Sequence, residues 1–237
     1  MRKSPVTVLT VAFLVVAALA GAGIRAGAQA QPSAYPAMAP LDQYLIADKG
    51  AEVALARSGA PASVSGAAEV MVLGPSGYET AAKGTNGFMC LVERGWGAAT
   101  TEAEFWNPKV RSPICFNQAA RSFAAIYLMK TKLALAGKSP KEIVAATDAA
   151  FASRQLPALE PGAMCYMMSK QQYLNDRGKS WHPHLMFFVS GDAAKSWGAN
   201  LDGSPVIAAD DPEERVTIMM VWVAEWSDGT PAPAMKE

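Results

Sequence analysis

Histidine is almost missing from this chain. The 237 residues hold two, His182 and His184, on either side of Pro183. Any Ser-His-Asp or Cys-His relay must therefore draw on this one pair. The common catalytic signatures are missing as well: there is no G-x-S-x-G elbow, S-x-x-K, H-E-x-x-H, Walker loop or G-x-G-x-x-G. Nucleophile-elbow hydrolases, zincins, P-loop NTPases and Rossmann dehydrogenases have no foothold without them. "GPSG" at Gly74 has only the outline of a nucleophile turn. Net charge is lacking too, with 21 basic residues against 21 acidic, which gives no reason to expect nucleic acid or an anionic membrane as partner. No internal repeat is visible, so solenoids and propellers drop out. The longest apolar run, residues 6–20, is shorter than the ~20 residues of a membrane span.

That run does have a reading. Arg2 and Lys3 precede it, and the small residues after it end in Ala28-Gln29-Ala30, the order of a secretory signal peptide cut after Ala30. No cysteine follows the cut, which argues against a lipid anchor. The expectation is an exported chain, periplasmic or secreted, with no stable membrane insertion once residues 1–30 are removed. Losing Arg2, Lys3 and Arg25 from the 21 basic residues leaves 18 against 21 acids, a net charge of −3. The remainder suits one domain over residues 41–230, preceded by a loose proline-broken lead (31–40) and followed by a frayed tail (231–237).

Three cysteines in an exported chain raise a pairing question. Cys90 and Cys115 flank "LVERGWGAATTEAEFWNPKVRSPI", a long irregular stretch that a compact domain tolerates only when something ties it down. This favours a Cys90–Cys115 bridge over the other two pairings or none. Cys165, in "GAMCYMMS", reads as a buried free thiol, inert because burial raises its pKa. With His184 it is also the one thiol nucleophile the sequence allows.

Periodicity outlines the fold. Leu41, Leu45, Val53 and Leu55 fit a helix from Leu41 to Arg57. Val70–Leu73, Tyr78–Lys83 and Phe88–Glu93, separated by glycine turns, read as an antiparallel meander. In the third run Phe88, Cys90 and Val92 share one face, and Met89, Leu91 and Glu93 the other. Asn117 begins a helix carried by Phe123, Ile126, Tyr127, Lys130 and Leu133 and stopped by Gly137. Ser139-Pro140-x-Glu142 is a capping box with proline at the first helical position, opening a helix to about Arg154. Met164–Ser169, Leu185–Val189 and Val216–Val223 are strands; the last, apolar on both faces, belongs inside a covered sheet. Strands, helices, then strands again predict an α+β domain, a mostly antiparallel sheet with helices packed on one face.

Taken together, "KGTNGFMC", "SPIC", "EPGAMCYMMS", "HPHLMFF" and "WSDGTPAP" resemble a group of exported bacterial proteins of unassigned activity, which share a G-T-N-G-aromatic-x-C turn and strand, a second cysteine downstream and a later P-H-L-M strand. The resemblance runs from about Leu41 onward. It implies a common exported domain and again pairs Cys90 with Cys115, and it carries no chemistry.

The candidate residues follow. A residue before proline is extended, so His182 and His184 enter a strand stretched and side by side, about 7 Å apart at Cα. Such a pair can bind a metal ion, although a third ligand must arrive through the fold, with Asp176, Glu93, Glu225 and Cys165 available. The plainer reading has His184 sharing a face with Met186 and Phe188 and donating a ring hydrogen to a backbone carbonyl. "GTNG" (Gly84 to Gly87) reads as a tight turn, or as a pocket wall presenting Asn86. Tyr166 and Lys170 add polar groups at a strand end. Trp96, Trp106, Trp181 and Trp197 fall in loop-like segments, where aromatics pack or anchor ligands. Two functions remain: a non-catalytic domain binding a small molecule or a protein partner, with Asn86, Trp106, Tyr166, Lys170 and Trp197 as contacts, or a hydrolytic or metal-assisted enzyme built on His182 and His184. No cofactor is specified.

Overall fold

Asp48 opens the first helix, α1 (Lys49–Arg57), by accepting the backbone N–H groups of Gly50 and Ala51, two donors the helix itself leaves unpaired. In this computed structural model, which describes residues 34–234, the helix predicted from Leu41 is thus divided. Leu41–Gln43 forms a separate 3-10 turn. The signal peptide expected at residues 1–30 lies outside the described residues. No described helix is long and apolar enough to cross a membrane. The lead expected to be loose is tied down from Tyr35: Tyr35, Met38 and Ala39 pack on the main core, and Tyr35 Oη donates to Asp176 at 2.6 Å. The tail begins ordered, with the Ala232 N–H on the Ala224 carbonyl.

After a short α2 (Ala62–Ser65), β1 (Glu69–Gly74) and β2 (Gly77–Ala82) form an antiparallel hairpin. β3 (Met89–Glu93) then pairs with β1 in parallel, correcting the meander predicted from the sequence. The physical reason is "GTNG", which is no hairpin turn. It crosses the start of β1, where the Thr85 N–H donates to the Ala67 carbonyl and the Glu69 N–H to that of Phe88. A Cβ on Gly84 would fall 2.1 Å from the Glu69 nitrogen, so only glycine lets the two backbones approach.

β4 (Ser112–Phe116) is followed by α3 (Arg121–Leu135) and α4 (Pro140–Ala152). Ser139 and Glu142 cap α4 reciprocally, as predicted. Asn117 acts one turn ahead of α3, accepting from Ala120 N–H and Met164 N–H. β5 (Met164–Met167), β6 (His184–Ser190), β7 (Ile207–Asp211) and β8 (Val216–Trp222) complete one eight-stranded sheet of order β2-β1-β3-β4-β5-β6-β8-β7. All pairs except β1 with β3 are antiparallel. The α+β class and mostly antiparallel sheet are as expected. β7, "IAADD", escaped because Ala and Asp are poor strand formers.

The long helices α3 and α4 cover the face that carries Met89, Leu91, Ile114, Phe116, Cys165 and Phe188. On the opposite face α1 and the segment after it cover Val70, Cys90, Val92 and Cys115. The sheet is therefore covered on both faces at its β1–β3–β4 end. β8 is less enclosed than its composition suggested: Val221 is 39 % exposed. Cys90 and Cys115 stand opposite each other in the β3–β4 ladder and are bridged.

Candidate functional site

Three connections rise over the α3 side of the sheet: the β3–β4 loop, the β5–β6 loop and the β7–β8 turn. Between them lies a groove of about 930 Å³, walled by Ala98, Ala99, Thr101–Glu104, Leu174, Trp181 and Ala209–Glu213 with Ile218 as floor. A chamber of about 220 Å³ adjoins it, sharing Ala98, Glu104, Leu174 and Trp181 and reaching Glu93, Ser112 and Met167 on the sheet.

The β3–β4 loop can lie this close because of "GWG". A Cβ at Gly95 would sit 2.3 Å from the Glu104 carbonyl oxygen, and one at Gly97 3.2 Å from Glu93 Oε2. Between the two glycines Trp96 is sealed in the core, its indole N–H donating to Thr131 at 2.9 Å. Lys130, buried on α3, holds two walls at once: its Nζ donates to the Ala98 carbonyl at 2.9 Å and to Glu214 at 3.1 Å. Glu213 adds a clamp by accepting from the backbone N–H and hydroxyl of Thr100.

Strand alternation puts Glu93 on the α3 face with Met89 and Leu91. No hydrogen bond to its carboxyl is found among the described residues. Burial first, then the Glu214 carboxylate, push it up to about 8, with Lys130 pulling the other way. The folded protein thus keeps a proton that the unfolded chain releases above the ordinary value of 4.5. Stability must fall as pH rises through that window. The full shift corresponds to about 5 kcal/mol, and screening by water in the chamber leaves an expected loss of about 2 kcal/mol. Melting temperatures at pH 5 and pH 8 check this. Glu93→Gln should lose markedly less stability than the native chain between the two, and an equal loss in both would refute the assignment.

The histidines lie elsewhere on this face. His184 is fully buried; its Nδ1 is 2.8 Å from the His182 carbonyl oxygen, and its Nε2 is the one buried side-chain polar atom among the described residues without a partner. Burial holds its pKa below the usual imidazole value. His182 Nε2 meets the Val223 carbonyl oxygen at 2.9 Å, and both rings pack edge-on to Trp222. Among the described residues the fold brings no third ligand to the histidine pair: no three His, Cys, Asp or Glu side chains converge to hold an ion. Each histidine places one ring nitrogen at a backbone carbonyl. Cys165 pairs with Met186 and His184 with Met167 in the β5–β6 ladder. Burial, then the Glu93 charge, raise the Cys165 thiol well above its ordinary value. A thiolate–imidazolium pair requires both shifts reversed.

The remaining candidates do not assemble. Trp106 is 6 % exposed and packs on Phe105 and Trp96 in the core, its carbonyl taking the Tyr44 hydroxyl; it is a packing residue. Asn86 spends both ends of its amide, donating to the Val64 carbonyl and accepting from Phe88 N–H. Tyr166 points to the α1 face, edge-on to Phe88. Lys170 pairs with Asp228 at 2.9 Å. Trp197 lies in the surface turn after β6, 36 % exposed. Trp181 is the one tryptophan of the four that lines the groove. Glu104 and Glu213 carried no motif that singled them out as a site; Glu93 was expected only as a possible third metal ligand, and its strand parity was the available signal for its place here. No family model, curated protein or solved structure matched this chain in comparison.

Proposed function

We propose that this chain is an exported, non-catalytic binding domain whose groove takes a small molecule combining an apolar body with a positive charge. The composition of the groove and its adjoining chamber carries this reading. Leu174, Trp181, Ile218 and four alanines supply apolar wall, while Glu102, Glu104, Asp210, Asp211 and Glu213 line the groove; Glu93, in the adjoining chamber, keeps its proton and adds no charge. Of the two arginines there, Arg94 is already committed to Glu52, leaving Arg177. A pocket of this size with an aromatic wall and excess negative charge favours a cation, and Trp181 offers an indole face to it. Export rests on the leader sequence and is compatible with the Cys90–Cys115 bridge.

Calorimetry with aromatic amines and their matched carboxylic acids tests the reading. Amines should bind in preference to acids, and Trp181→Ala should weaken them about tenfold. Equal binding of acids and amines, or indifference to Trp181→Ala, would sink it.

A catalytic reading has one observation in its favour, and it moves the chemistry away from the histidines. A carboxyl that keeps its proton near neutral pH at the end of a cavity has the character of a general acid. In that case Glu93→Gln would bind the same amine and leave it unchanged, whereas the native chain would convert it.

A further inference from the structure

Behind the β7–β8 turn, on the far side of the Lys130–Glu214 pair, lies a second cavity of about 430 Å³. Its walls are Phe123 and Ile126 of α3, Phe151 of α4, Leu156 and Leu159 of the α4–β5 connection, and Val216 of β8. Two arginines stand at it. Arg215 lies with its guanidinium 4.5 Å from the Phe151 ring centroid and pairs with Asp148 at 2.9 Å. Arg154 makes no side-chain hydrogen bond or ion pair among the described residues.

Both arginines occupy left-handed backbone, φ 58° at Arg154 and φ 59° at Arg215. Arg154 follows the end of α4, in the position where glycine or asparagine is the usual helix stop. There a long side chain costs about 1 kcal/mol or more in backbone conformation. At Gly137, after α3, the chain uses glycine at φ 74°. The two strained positions that carry arginine both border the same apolar cavity.

We propose that this cavity is a second ligand site, specific for an apolar monocarboxylate, with the hydrocarbon part between Phe123, Phe151 and Leu156 and the carboxylate held by Arg154 and Arg215. The charges support a monoanion: Glu214 is neutralised by Lys130 and Asp148 by Arg215, so Arg154 is the uncompensated charge at the cavity. A guanidinium presents paired N–H donors that match a carboxylate. The site is independent of the groove reading, since Trp181 and Glu93 do not line it.

Titration calorimetry of the mature chain with decanoate and with 1-decanol tests it. Decanoate should bind saturably and more tightly than the alcohol. Arg154→Gly should weaken decanoate about tenfold and leave decanol unchanged, while its melting temperature stays level or rises because glycine relieves the left-handed strain. Arg154→Gln, which keeps length and removes charge, should show the same loss of binding, and Trp181→Ala should show none. Absence of saturable decanoate binding, equal affinity for the alcohol, or undiminished binding in both Arg154 variants would each overturn the proposal.

Discussion

Arg94→Met is expected to cost about 3–5 kcal/mol of stability, because it strands a carboxylate in the core. Arg94 and Glu52 are 0 % and 1 % exposed and lie 2.8 Å apart. The guanidinium also donates through Nε to the Tyr44 carbonyl at 2.7 Å and through a second nitrogen to that of Val92. Glu52 further accepts the Leu73 N–H at 3.1 Å. One ion pair thus joins α1, β1, the end of β3 and the segment before α1, at the base of the loop that walls the groove. With the arginine gone, Glu52 retains a single neutral donor. Urea unfolding gives the number, and a fall of roughly 6–20 °C in melting temperature should accompany it. The double variant Glu52→Leu/Arg94→Met removes both charges and should lose less than the two single losses added, since a buried pair replaced as a pair is cheap compared with one that is broken. A single-variant cost below about 1 kcal/mol would show that the pair does not hold this junction.

What could be read from the sequence divides along physical lines. The α4 capping box involves residues three apart, so Ser139, Pro140 and Glu142 carried their own geometry. Strand parity likewise placed Cys90 and Val92 on one face and Glu93 with Met89 and Leu91 on the other. The crossing of "GTNG" over β1 was not legible, because glycine and asparagine suit a hairpin turn equally well; what forbids the hairpin is the distant backbone of Ala67 and Glu69. The histidine spacing was conspicuous, yet spacing says nothing of what a ring nitrogen meets, and here it meets carbonyl oxygens. The tryptophans show the same limit. "GWG", "FWNP" and "SWHP" are alike in composition, but Trp96 and Trp106 turn into the core over α3, and Trp181 faces the cavity. The site itself depends on Glu93, Lys130 and Glu214, brought together from a strand, a helix and a turn, and its electrostatics exist only after folding.

Removing the bridge with Cys90→Ala/Cys115→Ala should cost about 3.5 kcal/mol in the loop-entropy picture for a separation of 25 residues, or roughly 7–14 °C in melting temperature. The native contacts will change little, for the two residues are already opposite partners in the β3–β4 ladder, under α1. The bridge acts chiefly on the unfolded chain, where it keeps Gly95–Arg111, the segment that walls the groove, from exploring open conformations. Cys165 provides an internal count. Unfolded without reductant, the native chain should titrate one thiol, and with reductant three, and its melting temperature should then drop to that of the double variant. Three thiols without reductant, or a double variant that melts with the native chain, would remove the covalent tie from the account of the loop. The groove would then rest on Lys130–Glu214 and Arg94–Glu52 alone. If instead the tie holds, weakened amine binding in the bridge-free chain at a temperature where it remains folded would show that the covalent link orders the groove as well as the fold.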